Sequence, residues 1–283
     1  EITEIADIMK TKNIGFIGGG NMATSLIKGL ISSGHSEQQI WVADSNQEKL
    51  SSLATSLHVN TSATNDALIA DVDVVVLAVK PQAIAQVIAD SKAVFDKADV
   101  LIVSIAAGIN QASLSTWLGC DKAIVRCMPN TPSLVQTGAT GIHANANVSG
   151  EQRDLAENIM RSVGISIWVE EETEIDAVTA VSGSGPAYFF LLMEAMEAAA
   201  IELGLTQKTA RLLIEQTALG ASKMALEADE SPSELRRKVT SPGGTTEQAI
   251  NTFNENGFVE LVSKALKAAN DRSVTLANEL GAD

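Results

Sequence analysis

Short apolar runs alternate with helical repeats through the first half of this 283-residue chain. The runs are "NIGFIG" (13–18), "IWVAD" (40–44), "VDVVVLAV" (72–79), "DVLIVSI" (99–105) and "KAIVRCM" (122–128). The third and fourth are nearly continuous in apolar residues, as in strands buried on both faces of a parallel sheet. Between the runs, segments such as Met22 to Ser33 and Glu48 to Leu57 carry apolar residues at helical spacing. That βαβ rhythm predicts a doubly wound, mostly parallel α/β domain. Two later runs, "TGIHA" (140–144) and "ISIWVE" (165–170), extend the sheet around a helix at 150–162.

After the acidic run "EEETE" (170–174) the rhythm changes. From Ile175 onward Ala, Leu, Glu and Lys recur at helical spacing, with breaks at "SGSGP" (182–186), Gly204, "DESPS" (229–233), "SPGG" (241–244) and Gly257. The expected division is therefore 1–170 for the α/β domain and 171–283 for an all-helical one. The acidic run reads as a solvated helix start, where carboxylates favour the helix dipole. Helices so rich in alanine and apolar residues bury more surface than one small domain needs, which points to association between copies.

Charge and cysteine content narrow the classes. Twenty Lys and Arg stand against 35 Asp and Glu, a formal net charge of −15, which disfavours nucleic acid and anionic membranes as partners. The most apolar helical stretch, Ala187 to Leu205, holds Glu194, Glu197 and Glu202, so no uninterrupted membrane-length run remains. Cys120 and Cys127 make no disulfide framework in a chain of this size, and Cys127 falls in a strand, where a buried thiol is expected. Residues 1–8 precede Met9 as a short extension, and nothing there resembles an apolar signal segment, so the cytoplasm is the expected compartment.

Two stretches look built to receive ligands. Gly18, Gly20 and Ala23 fit G-x-G-x-x-G/A directly after a strand and at a helix start, where N–H groups and the dipole favour a pyrophosphate. The second strand ends in Asp44, placed to accept hydrogen bonds from a ribose 2′-hydroxyl and to repel a 2′-phosphate, which leans the cofactor to NADH over NADPH. "AVKPQ" (78–82) and "SIAAG" (104–108) also lie at strand ends, with Pro81 suited to open a helix and Lys80 either a cofactor contact or an exposed lysine.

In "TSPGGTTEQAI" (240–250), Thr245 and Gln248 have capping-box spacing, predicting a helix from Thr246. Gly243 and Gly244 let backbone N–H groups converge on a carboxylate, with Ser241 and Thr246 adding hydroxyls; a plain turn would carry the same letters. All three histidines lie in the first domain, and Asp176 to Ala200 holds neither Lys nor His. Ketone or alcohol chemistry calls for a positioned acid or base. A C=N bond does not, because its nitrogen can be protonated before hydride arrives.

These residues resemble the pyrroline-5-carboxylate reductase family. The matching segments are "IGFIGGGNMA", "VVVLAVKPQ", "SIAAGI", "RCMPNTP" (126–132), "AVSGSGPAYFF" (180–190) and "VTSPGGTTEQAI" (239–250), in family order from residue 13 to about 275, the last highly specific. The resemblance implies a Rossmann-type domain followed by a helical dimerisation domain, with homodimers often assembled into a decamer. It implies hydride transfer from NADPH or NADH to 1-pyrroline-5-carboxylate, giving L-proline. By motif, Ser241, Gly243, Gly244 and Thr246 would hold the carboxylate and imine nitrogen, Thr246 being the partner of that nitrogen. Val239 would line the pocket and Ser184, Gly185 and Pro186 shape its floor. Gly18, Gly19, Gly20, Asn21 and Met22 would contact the pyrophosphate, and Val79, Lys80 and Pro81 the middle of the cofactor. Ala106, Ala107 and Asn130 would approach the nicotinamide side, and Asn65 the adenine ribose. Members with Asn-Arg or Ser-Ser after the second strand differ from Asp44-Ser45 here, a departure that fits the NADH reading. A β-hydroxyacid dehydrogenase would carry a catalytic lysine early in the first interdomain helix, where none occurs. A non-catalytic dinucleotide sensor could keep the glycine turn and lose the intact SPGGTT segment.

Overall fold

The computed structural model describes residues 11–119 and 121–281; the 1–8 extension and Cys120 lie outside the described residues. The α/β part runs β1 (Ile14–Ile17), α1 (Asn21–Ser32), β2 (Ile40–Ala43), α2 (Gln47–Leu57), β3 (Asn60–Thr61), α3 (Asn65–Asp71), β4 (Val74–Leu77), α4 (Pro81–Asp90), α5 (Lys92–Phe95), β5 (Leu101–Ser104), α6 (Gln111–Leu118), β6 (Ile124–Met128), β7 (Gly138–Ala144), α7 (Gly150–Arg161) and β8 (Gly164–Trp168). The helical part comprises α8 (Glu174–Val178), a π-helical turn (Thr179–Gly183), α9 (Gly185–Glu202), α10 (Gln207–Glu227), α11 (Pro232–Lys238), α12 (Thr245–Glu255) and α13 (Phe258–Leu280).

The eight strands form one sheet in the order β3-β2-β1-β4-β5-β6-β7-β8. All neighbours are parallel except β6 and β7, which pair Cys127 with Ile142 in an antiparallel register. The unbroken apolar runs are explained by two-sided burial: Val74 to Leu77 are completely inaccessible. On one face Leu26, Ile27 and Leu30 of α1 and Ile159 and Met160 of α7 pack on Phe16, Val76 and Val103. On the other, Leu68 of α3, Ile84 and Ile88 of α4 and Leu114 of α6 pack on Ile17, Val75 and Ile102. Full burial of each such side chain contributes about 1.5–3 kcal/mol. The two-residue β3 lacks any apolar run, which is why the sequence pattern did not reveal it.

The change from strand to helix falls between Trp168 and Glu174. By compactness, one unit runs to Ser184 and takes up the chain again from Ala269, and the other is Gly185–Ala268. The first unit extends past 170 because the chain there stays on the sheet. Val178 closes over Gly141, where a Cβ would come within 2.6 Å of its Cγ1, and Asp176 accepts a 2.6 Å hydrogen bond from Ser273. The break expected at 182–186 is a π-helical turn instead, closed by a 2.8 Å hydrogen bond from the Ser184 N–H to the Thr179 carbonyl. It absorbs the extra residue without ending the helical course, and the Ser182 carbonyl, to which Pro186 has no N–H to donate, accepts from Asn130 Nδ2 at 3.1 Å instead.

Candidate active site

The strand order reverses between β1 and β4, and the glycine turn sits there, at the carboxyl edge of the parallel strands. Gly18 has φ +102, and a Cβ on it would come within 2.6 Å of the Ala78 carbonyl oxygen, so only glycine fits between the ends of β2 and β4. Gly20 is the N-cap of α1, and a Cβ there would meet nothing within 4 Å. The cap is bare, with no side-chain hydrogen bond and no acidic residue in the first turn. No side chain of the cap takes up the first-turn N–H groups that any helix start leaves orphaned, an arrangement that fits a dinucleotide pyrophosphate.

Gly19 is buried, and its N–H donates to Asp44 Oδ2 at 2.8 Å. Asp44 also accepts from the Asn46 N–H at 2.8 Å and from Lys49 Nζ at 3.0 Å. Burial acts to raise its pKa, but the Asn46 and Gly19 N–H groups and the Lys49 cation outweigh it and hold the carboxyl below its ordinary value. The residue expected to read the ribose is thus also the tie that shapes the loop. Lys49, which the sequence reading passed over, completes it.

Val79, Lys80 and Pro81 follow β4: Lys80 is the exposed N-cap of α4 and Pro81 its first residue. Ala106 is buried and Ala107 exposed just after β5, while Asn65 opens α3 behind a Thr64 cap. Asn130 follows β6, and its amide is engaged at both ends. Oδ1 accepts the Ala139 N–H at 2.9 Å, and Nδ2 donates to the Ser182 carbonyl at 3.1 Å, clipping the π-helical turn.

The acidic run is not simply solvated. Arg126, 3% exposed on β6, donates to Glu172 Oε1 at 3.0 Å, and the Gln111 N–H donates to the same oxygen at 2.7 Å. Sequence offered no signal for this network, because its members are about 15 and 46 residues from Arg126. Cys127 is buried as expected, and burial pushes its thiol far above the usual range.

In the helical unit, Gly244 rather than Thr245 caps α12, so the helix begins at Thr245 and the expected capping box is absent. Glu247 reaches back instead, accepting the Gly243 N–H at 2.8 Å, and the Gly244 N–H closes a tight turn onto the Ser241 carbonyl at 3.0 Å. An ionised carboxylate makes a stronger bond to that amide than the Gln248 side chain could. Gly243 has φ +71, which the turn requires. The first-turn N–H groups of Thr245 and Thr246 and the hydroxyls of Ser241 and Thr246 remain as donors beside Val239, 61% exposed. Lys238 is drawn into an ion pair with Glu230.

Residues 172–276 match the family description pyrroline-5-carboxylate reductase dimerisation, and residues 13–108 match NADP oxidoreductase, coenzyme F420-dependent. The pyrroline-5-carboxylate reductase of Pseudomonas aeruginosa is 52% identical over 273 residues, spanning 96% of this chain and 100% of that protein. A solved pyrroline-5-carboxylate reductase from Coxiella burnetii is 48% identical with a TM-score of 0.91, covering 94% of this chain and 99% of that one. The Plasmodium falciparum pyrroline carboxylate reductase, solved with NADP bound, is 28% identical with a TM-score of 0.83, covering 95% and 99%. Because the likeness runs through the sheet and the helices alike, over nearly the full length of each relative, the chain belongs to the pyrroline-5-carboxylate reductase family.

Proposed function

We propose that this protein reduces the C=N bond of 1-pyrroline-5-carboxylate to give L-proline, the last step of proline biosynthesis, with NADH or NADPH as donor. The observation that carries the reading is the start of α12. Backbone N–H groups and the Ser241 and Thr246 hydroxyls gather there, and Lys238, the nearest cation in sequence, is paired with Glu230. Such a place can bind a carboxylate through dipoles; the segment 239–250 holds neither histidine nor lysine, and Glu247 is engaged with the Gly243 N–H at 2.8 Å. An imine tolerates that lack, since its nitrogen takes a proton from solvent before reduction. Thr246 Oγ would then accept a hydrogen bond from the protonated nitrogen, while Ser241, Gly243, Gly244 and Val239 shape the surroundings of the ring and its carboxylate.

When bound, the nicotinamide supplies the hydride. The turn Gly18 to Met22 would hold the pyrophosphate, Val79 to Pro81 the middle of the cofactor, Asn65 the adenine ribose, and Ala106 and Ala107 the nicotinamide side. Ionised Asp44 at the end of β2 favours a ribose 2′-hydroxyl over a 2′-phosphate, so NADH is the preferred donor in this reading.

Phe189, Phe190 and Leu191 of α9 are 60–66% exposed within the region that matches the dimerisation family, and a second copy is their natural cover. The run Glu174–Glu202 has membrane-spanning length and a mean hydropathy of 1.2, yet it carries Glu194 and Glu197, and we assign its apolar face to the partner subunit. Dimers assembling to a decamer, a cytoplasmic location and the absence of nucleic-acid or membrane partners complete the proposal.

The test follows absorbance at the nicotinamide band with 1-pyrroline-5-carboxylate and either cofactor, with proline assayed as product. Thr246→Ala is expected to lower kcat by roughly 10²-fold while leaving cofactor binding nearly intact. Unchanged kcat and KM would remove the role of Thr246. Folded wild-type protein that oxidised neither cofactor would overturn the reading itself.

A further inference from the structure

Lys49 stands in the first turn of α2, its Nζ 3.0 Å from the Asp44 oxygen that also accepts the Gly19 N–H. Its stem lies along the glycine turn, where a Cβ on Gly19 would come within 3.4 Å of Lys49 Cδ. The pair is unequal in exposure: the Lys49 side chain is 41% accessible and that of Asp44 only 11%. Asp44 is held from below by two backbone N–H groups, whereas Lys49 reaches it from solvent on a flexible stem. The Gly19 and Asn46 N–H bonds hold Asp44 independently of Lys49, so Lys49, exposed on its flexible stem, can leave Asp44 without unmaking the loop.

The position of this pair is what matters. It lies at the end of β2, where a Rossmann-type domain meets the adenine ribose. A carboxylate alone there would repel a 2′-phosphate, and among the described residues Lys49 is the only cation that contacts it. We propose that Lys49 is a cofactor-selectivity residue: paired with Asp44 it leaves a carboxylate for a ribose 2′-hydroxyl, and swung off Asp44 it pairs with a 2′-phosphate. The enzyme then uses both cofactors through one movable cation. The inference rests on the reading that the glycine turn holds a nicotinamide dinucleotide.

Calorimetric titration of the full chain with NAD⁺ and NADP⁺ tests it directly. Lys49→Gln is expected to weaken NADP⁺ at least roughly tenfold and NAD⁺ less than about threefold, as loss of a charge contact to the extra phosphate requires. Lys49→Arg, which keeps the cation, is expected to retain NADP⁺. Asp44→Asn is expected to shift the ratio the other way, toward NADP⁺. Equal weakening of both cofactors by Lys49→Gln would make Lys49 a prop of the loop, and no change in either would remove it from the site; both results overturn the proposal alone. Wild-type protein that bound neither cofactor would overturn the dinucleotide reading and this inference with it.

Discussion

His35 closes the turn after α1, is 4% exposed, and has no hydrogen-bond partner at either ring nitrogen. Desolvation lowers its pKa; backbone groups of Lys12 and Gln39 pull the other way without reaching normal hydrogen-bond geometry. With the folded pKa below 6.5, the native state refuses a proton that the unfolded chain accepts. The contribution of His35 is therefore constant above about pH 6.5 and is lost as pH falls through the window below it, with a slope of at most about 1.4 kcal/mol per pH unit. Denaturant unfolding at a series of pH values from 8 to about 5 is expected to show a smaller loss for His35→Leu than for the wild type. Identical pH slopes would remove His35 as the cause. At this scale residue types were legible and partners were not. Sequence offered Asp44 as a candidate ribose carboxylate, but its ties to Gly19 and Lys49 depend on the loop being folded.

Helix starts show how far local chemistry reaches. Asn46, Thr64, Asn110, Ser149, Thr206 and Ser231 each accept an N–H of the following turn, as capping preferences predict. At α12 two registers one residue apart compete, Gly244 with Glu247 and Thr245 with Gln248, and the charged acceptor at Gly243 accompanies the first. Close strand packing is equally invisible to pattern. Gly164 opens β8 opposite Gly138, and a Cβ on it would lie 2.0 Å from the Gly138 carbonyl oxygen. Gly164→Ala is thus expected to push β8 off the sheet edge at a cost of about 3 kcal/mol, lowering Tm by several degrees. A thermal melt unchanged within about a degree would show that β8 parts from β7 without loss.

For the whole molecule the exposed apolar surface of the helical unit decides the behaviour. Phe190, 64% exposed on α9, lines a groove with Met193, Ile201 and Ile214, beside the two-pronged Arg211–Glu197 pair. With α9 in the proposed partner contact, Phe190→Glu would bury a charge there, so sedimentation is expected to show a shift toward monomer. An unchanged sedimentation coefficient at low protein concentration would place the contact elsewhere.

What the sequence determined by itself was the layout: apolar runs buried on both faces, a glycine turn between strand and helix, a carboxylate ending the second strand, and a helical half too apolar to stand alone. Each of these is a local property, set by periodicity or by what glycine and carboxylate groups can do within a few residues. The tertiary structure alone decided which groups meet. Arg126 and Glu172 pair across 46 residues, Asn130 clips Ser182 across 52, and the chain from Ala269 returns to the sheet-bearing unit. Such pairings follow from packing and from the penalty on unpaired buried polar groups, and both exist only once distant segments are brought together.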